Sequence, residues 1–199
     1  MSGRAAVAAA AATALAGAAG AGLGGCRGGA AATTPAVRCP TAPVRVTAQR
    51  ELDRLRGCSR LPGLELRGAV PFELAPLAGL TGIDGDLVVR STFALSGLRL
   101  PALTEVGGEL AVVGNLALGG VYLPALARAG AIVIADDPVL TELMLPALVA
   151  VRRLHVARVA SLELVDVSAL PAVADLQVER APRLTAWYGP TEAQVLSEP

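Results

Sequence analysis

The chain has 199 residues, room for one domain or a small pair, with 53% hydrophobic, 17% charged and only 3% aromatic residues. That apolar content excludes a disordered chain, which would be poor in apolar residues and rich in charge, and glycine does not recur at every third position as collagen requires. Seventeen basic residues, all of them Arg, balance 17 Asp and Glu, so no basic excess points to a nucleic-acid partner. The absence of Lys, with three Ile and one Asn, reads as the codon bias of a GC-rich genome. The abundance of Ala and Arg therefore carries little functional information.

Residues 1–25 read as an export signal. Arg4 gives a short positive start, and residues 5–22 are almost purely Ala and Gly. Leu23-Gly24-Gly25-Cys26 then resembles a bacterial lipobox. The resemblance implies that the signal is removed and that the Cys26 thiol takes a diacylglycerol. The plainer alternative is a signal peptide with Cys26 merely near the cut. An uncleaved anchor helix is disfavoured by the glycines between Gly17 and Gly25. Residues 26–38 are small and polar and read as a flexible tether. Arg27, rather than Asp, follows the Cys, which by resemblance to lipoproteins of diderm bacteria favours the outer membrane. The expected address is the cell envelope, lipid-anchored on the extracytoplasmic side.

The rest of the chain is periodic. An apolar-x-apolar triplet recurs at Leu64, Leu87, Leu110, Ile132, Leu154 and Leu176, in steps of 23, 23, 22, 22 and 22. A second motif follows eight residues after the later triplet starts: Leu95-x-x-Leu98-x-Leu100-Pro101, Leu118-x-x-Val121-x-Leu123-Pro124 and Leu140-x-x-Leu143-x-Leu145-Pro146. Leu162-x-x-Val165-x-Val167 and Leu184-x-x-Trp187 continue it, and Phe72, Ala75 and Leu77 form a degraded first copy. A third apolar column precedes each triplet at Leu61, Ile83, Val106, Ala129, Val151 and Val173. Period-2 triplets rich in β-branched residues predict short strands. A copy this short cannot bury its own apolar face, so copies must stack, at about 4.8 Å per step. Several strand columns per repeat predict an all-β, right-handed parallel β-helix (β-solenoid) of about six coils, the hand following from the preference of parallel crossovers. The Gly107-Gly108 and Gly119-Gly120 pairs suit tight corners. A leucine-rich-repeat horseshoe is the rival architecture, but its Asn column is missing: the single Asn115 lies elsewhere in the repeat.

Cys58-Ser-Arg-Leu61-Pro-Gly63-Leu64-Glu-Leu66 and Leu103-Thr-Glu-Val106-Gly-Gly-Glu-Leu110-Ala-Val112 resemble the receptor L domain, the leucine-rich β-helix of insulin- and EGF-receptor ectodomains. The resemblance covers residues 39–190, leaving 191–199 as a tail. It implies a short N-terminal capping helix held by a disulfide. Here Cys39 and Cys58 bracket residues 47–56, where Thr47 would cap a helix with Leu52 and Leu55 on one face. Two free thiols are the alternative, less suited to an extracytoplasmic address. The long receptor loops, a second repeat block and a kinase are missing, so hormone-receptor function is not implied.

No chemistry-bearing constellation stands out. There is no CxxC or Cys/His metal spacing, and a phosphate loop of the GxxxxGK type is impossible without Lys. His155, the single histidine, sits at an outward strand position and reads as solvated. Asp136, adjacent to Asp137, falls in register with Arg158 and Arg180, a solvated charge ladder. Asp86 and Glu109 align in successive coils as a like-charge pair, read as solvated, with attraction of a cation the alternative. We expect no catalytic residues, cofactor or metal.

The outward strand positions remain as the candidate binding face. One row is Arg99, Tyr122, Met144, Asp166 and Tyr188, residue types favoured at interfaces. The other includes Val88, Ala111, Val133 and His155, an apolar strip suited to cover by a partner. The expected function is a non-enzymatic, lipid-anchored binding or structural module meeting a protein or glycan partner. The alternatives are a β-helical polysaccharide-active enzyme and a leucine-rich-repeat interaction protein.

Overall fold

The computed structural model describes residues 38–190 and the backbone of one further strand, Gln194–Leu196. The signal segment 1–25, Cys26, nearly all of the tether and the rest of the tail lie outside the described residues.

The chain is a parallel β-solenoid. One face stacks Val44–Val46, Leu64–Gly68, Leu87–Thr92, Glu105–Val113, Arg128–Ala135, Ala150–Ala157, Asp175–Glu179 and Gln194–Leu196, each strand pairing in parallel with the next. A second sheet stacks Gly97–Arg99, Gly120–Tyr122, Glu142–Met144, Leu164–Asp166 and Ala186–Tyr188. Short strands Arg60–Leu61 and Gly82–Ile83 form a third face, which later coils continue within their long strands. Two strand stacks per coil separate this architecture from a horseshoe.

The triplets stack in register as their spacing requires: Leu64, Leu87, Leu110, Ile132, Leu154 and Leu176 are successive partners. The first five are buried, and with Leu98, Val121, Leu143 and Val165 they form one continuous apolar column. The eight strands of the long path make about seven turns rather than six. The additional rungs escape the periodicity because Val44 pairs with Leu64 only 20 residues on, and Gln194 with Gln177 only 17 residues back. The second of these carries the solenoid past residue 190.

Two local expectations are corrected. The short sheet begins at Gly97, because the region of Phe72, Ala75 and Leu77 holds a 3-10 helix, Ala75–Leu77, with Ala75 exposed. Pro76 has no N–H for a strand ladder. The N-terminal helix spans only Gln49–Asp53, with Ala48 rather than Thr47 at its N-cap. The Glu51 carboxylate instead accepts from the Thr47 and Ala48 amides and from the Thr47 hydroxyl, and the Thr47 amide leads in holding its pKa down. The Gly107-Gly108 pair lies at a corner as expected, where the register shifts between Val106 and Glu109 as the strand passes from the third face to the long one, and it permits close approach there. A Cβ at Gly107 would run into the Asp84 carbonyl of the preceding coil, and one at Gly130 would lie 2.6 Å from the Gly108 carbonyl.

Left-handed backbone serves a different corner. Gly68, Ser91, Gly114, Asp136, Arg158 and Arg180 all have positive φ, in the same 22- to 23-residue step. Four of the six are not glycine, so the stack imposes a conformation that their side chains disfavour.

Candidate functional site

The short sheet brings Arg99, Tyr122, Met144, Asp166 and Tyr188 into one register line. Alternation along each strand turns them outward while Leu98, Val121, Leu143 and Val165 turn in. The Arg99 guanidinium lies 4.0 Å from the centroid of the Tyr122 ring, a cation–π contact between adjacent coils. On the other side the Tyr122 hydroxyl donates to Glu142 Oε2 at 2.6 Å, which together with burial raises the phenol's pKa. The ring lies flat because Gly120 beneath it has no side chain; a Cβ there would collide with the Tyr122 ring. Asp166 accepts from the Ser168 amide at 3.0 Å, and Tyr188 is 55% exposed. Neighbouring coils thus hold part of this amphipathic row in place before any partner arrives.

The long-sheet row is less open than expected. Val88, Ala111, Val133 and His155 are register partners, but Val88, Val133 and His155 are half-buried and Ala111 is only 7% exposed. Side chains at the same position above and below shade each member of a close-spaced ladder, and the small Ala between two Val is shaded most. His155 is correspondingly not fully solvated: its Nε2 is buried and has no hydrogen-bond partner. Earlier in the row Glu65 bridges Arg45 and Arg90 at 2.7 Å each, and the Arg45 hydrogen bond leads in lowering its pKa. A shallow depression of about 520 Å³ lies here, lined by Val44, Glu65, Asp86 and Val88 among others.

The acidic candidates do not converge. Asp136 forms a two-bond pair with Arg158 at 2.6 Å, which lowers its pKa. Asp84 is bound by Arg60. Asp86 Oδ1 accepts from the Glu109 backbone amide at 2.8 Å, so this aligned acid is held by a backbone contact to the next coil. Among the described residues no group of three or more His, Cys, Asp or Glu could hold a metal, and no helix is long and apolar enough to cross a membrane.

Two features of the left-handed corner were not legible as sites. One residue past Ser91, Gly114 and Asp136 the chain turns inward, and there Thr92, Asn115 and Asp137 form a buried polar ladder. The Thr92 hydroxyl donates to Asn115 Oδ1 at 2.7 Å, and the Asn115 amide donates to Asp137 Oδ1 at 2.6 Å. Asp137, which by sequence lies beside the solvated Asp136, is fully buried, and its Oδ2 has no partner. The signal was present as a column, Thr92, Asn115 and Asp137 in steps of 23 and 22, but it is polar and three copies long, whereas the repeat is carried by apolar columns.

One residue further on, the chain turns outward again, and apolar side chains line the corner. Val70 is 42% exposed, Phe93 51%, Leu116 54% and Val139, beside Pro138 in the next coil, 43%. The corners stack directly: the Phe93 amide donates to the Gly68 carbonyl and the Leu116 amide to the Thr92 carbonyl.

Comparison with known protein families, with curated proteins and with solved structures found no match to this chain.

Proposed function

We propose that the chain is a receptor L-domain-like lipoprotein, anchored through Cys26 on the extracytoplasmic side of the cell envelope, that acts as a non-enzymatic binding module. The short-sheet row from Arg99 to Tyr188 is its contact surface for a protein or glycan partner. The observation that carries this reading is the packing of Arg99, Tyr122 and Glu142 across successive coils. Tyr, Met and Arg are enriched in the centres of interfaces, and side chains already held in place lose little entropy on binding. A non-enzymatic role is supported by the dispersal of the carboxylates: Asp84 and Asp136 are tied to arginines and Asp86 to a backbone amide.

The anchor is tested by intact mass of the membrane-extracted protein. The chain should begin at Cys26 and carry acyl groups, and an unmodified N-terminus or cleavage elsewhere would sink the lipoprotein reading. The contact face is tested by crosslinking in membranes with the tagged full chain. A partner captured by the parent should be lost on Tyr122→Ala with Met144→Ala, while the thermal melt stays close to that of the parent. Retention of every crosslinked partner by that double variant would remove the short-sheet row as the contact surface.

A further inference from the structure

We infer that the short-sheet row binds a second copy of this chain, in a two-fold dimer that sets Arg99 of each copy against Asp166 of the other, an assignment that rests on the reading of this row as a contact surface and names its partner.

The row is self-complementary. Arg99, Tyr122, Met144 and Asp166 are successive register partners with no shift between their strands, so they stand one coil apart, at about 4.8 Å each. A two-fold interface uses the same patch twice, so its residues must match one another in reverse order. An axis parallel to the strands, midway between Tyr122 and Met144, reverses the row onto itself. Arg99 then faces Asp166 of the other copy at both ends, and Tyr122 faces Met144 twice across the middle, a sulfur–aromatic contact. The outward row beside it, Gly97, Gly120, Glu142 and Leu164, is reversed by the same axis. It sets Leu164 against Gly97, a side chain against a gap, and Glu142 against Gly120. Glu163, one residue before Leu164, falls opposite Ser96. No two carboxylates meet. The other two-fold axis in the plane of the face, along the stack, would set Arg99 against Arg99 and Asp166 against Asp166, and like charges across an interface repel.

The two end charges are open to such pairing. Arg99 is exposed and has no salt-bridge partner among the described residues. The Tyr122 ring supports its guanidinium, and an arginine stacked on a ring keeps its N–H edge for a carboxylate. Asp166 accepts from the Ser168 amide through Oδ1, and its Oδ2 has no partner among the described residues. Glu142, the third charge of the two rows, is engaged by the Tyr122 hydroxyl. The face itself is small. Five strands of three residues make a patch of about 20 Å by 10 Å, well below the roughly 800 Å² per partner of a standard interface, so the dimer should be weak, with a Kd of about 100 μM.

The test is sedimentation equilibrium of the full chain as Cys26→Ser, which keeps lipid out of the measurement, over a concentration series that spans the expected Kd. The parent should show a monomer–dimer equilibrium. Arg99→Asp alone and Asp166→Arg alone each turn both end contacts into like-charge pairs, and each should weaken dimerisation roughly tenfold or more. Mixing the two single variants should restore association close to that of the parent, because each copy then supplies the charge the other lacks. Both side chains reach solvent, and thermal melts of the single variants should match the parent. A dimer insensitive to either substitution, or single variants that fail to associate on mixing, would overturn the inference, as would a parent that stays monomeric throughout. If that monomeric parent still loses its membrane-crosslinked partner on Tyr122→Ala with Met144→Ala, the row contacts something other than this chain, and only the choice of a second copy fails. If the crosslinked partner is retained by that double variant, the row fails as a contact surface as well.

Discussion

Asp137 carries a carboxylate into the core, where burial holds its pKa up at about 6 against the hydrogen bond from the Asn115 amide. In the unfolded chain the same group titrates near 3.8. The folded protein therefore grips this proton more tightly. The resulting stabilisation is complete below about pH 3.8, declines as pH rises toward 6 and is gone above it. Fixing the ionised form in the core costs about 3 kcal/mol at neutral pH. Glu65 and Asp136 act in the opposite sense: arginines lower their pKa values, so their contribution is lost as pH falls through the folded values. The difference between Asp137→Asn and the parent isolates the buried group. Asn keeps the oxygen that accepts from Asn115, and its own amide nitrogen can be used as Asn115 uses its, donating to a carbonyl of the preceding coil. The variant should melt higher than the parent at about pH 8 and lose that advantage on approaching about pH 4. A pH-independent difference would mean that Asp137 is not buried as a titrating acid.

At the scale of a strand, one residue of shift separates core from surface. In Arg128–Ala135, Ile132 is fully buried between Leu110 and Leu154, while Val133 stands half-exposed between Ala111 and His155. Ile132→Glu would place an unpaired charge in a dry column and should abolish the cooperative melt. Val133→Glu should cost about 1 kcal/mol or less, since its carboxylate reaches water. Urea unfolding of the two purified variants checks the contrast. Equal damage would mean the strand is buried on both faces, and greater damage from Val133→Glu would place the register off by one residue.

The whole solenoid depends on its ends, because each coil is stabilised chiefly by its neighbours and a bare terminal strand is a template for pairing. At the N-terminal end Leu52 and Leu55 are buried in the core, and the Cys39–Cys58 bond closes a 19-residue separation around the helix. Converting both cysteines to Ser should lower stability by about 3 kcal/mol, from the larger freedom of the unfolded chain. It should also free the edge of Val44–Val46, giving concentration-dependent aggregation in sedimentation velocity. An unchanged urea midpoint with no aggregation would show that the helix and first strand hold without the bond.

The spacing of apolar residues in the chain is enough to specify stacked coils, because only a register that superimposes Leu64, Leu87, Leu110, Ile132 and Leu154 buries them together. The same alternation marks the outward rows, the one from Arg99 to Tyr188 among them, from the chain alone. What the spacing does not contain is how far each outward side chain is shaded by those above and below, so Ala111 and His155 are more enclosed than their pattern suggests. Nor does it mark the rungs at Val44 and Gln194, whose coils are shorter than the repeat. Asp136 and Asp137 show the limit most plainly. They are identical and adjacent in the chain, yet one is tied to Arg158 in solvent and the other is sealed beside Asn115. The left-handed turn at Asp136 decides between them, and that turn exists only because the coils on either side hold the backbone there.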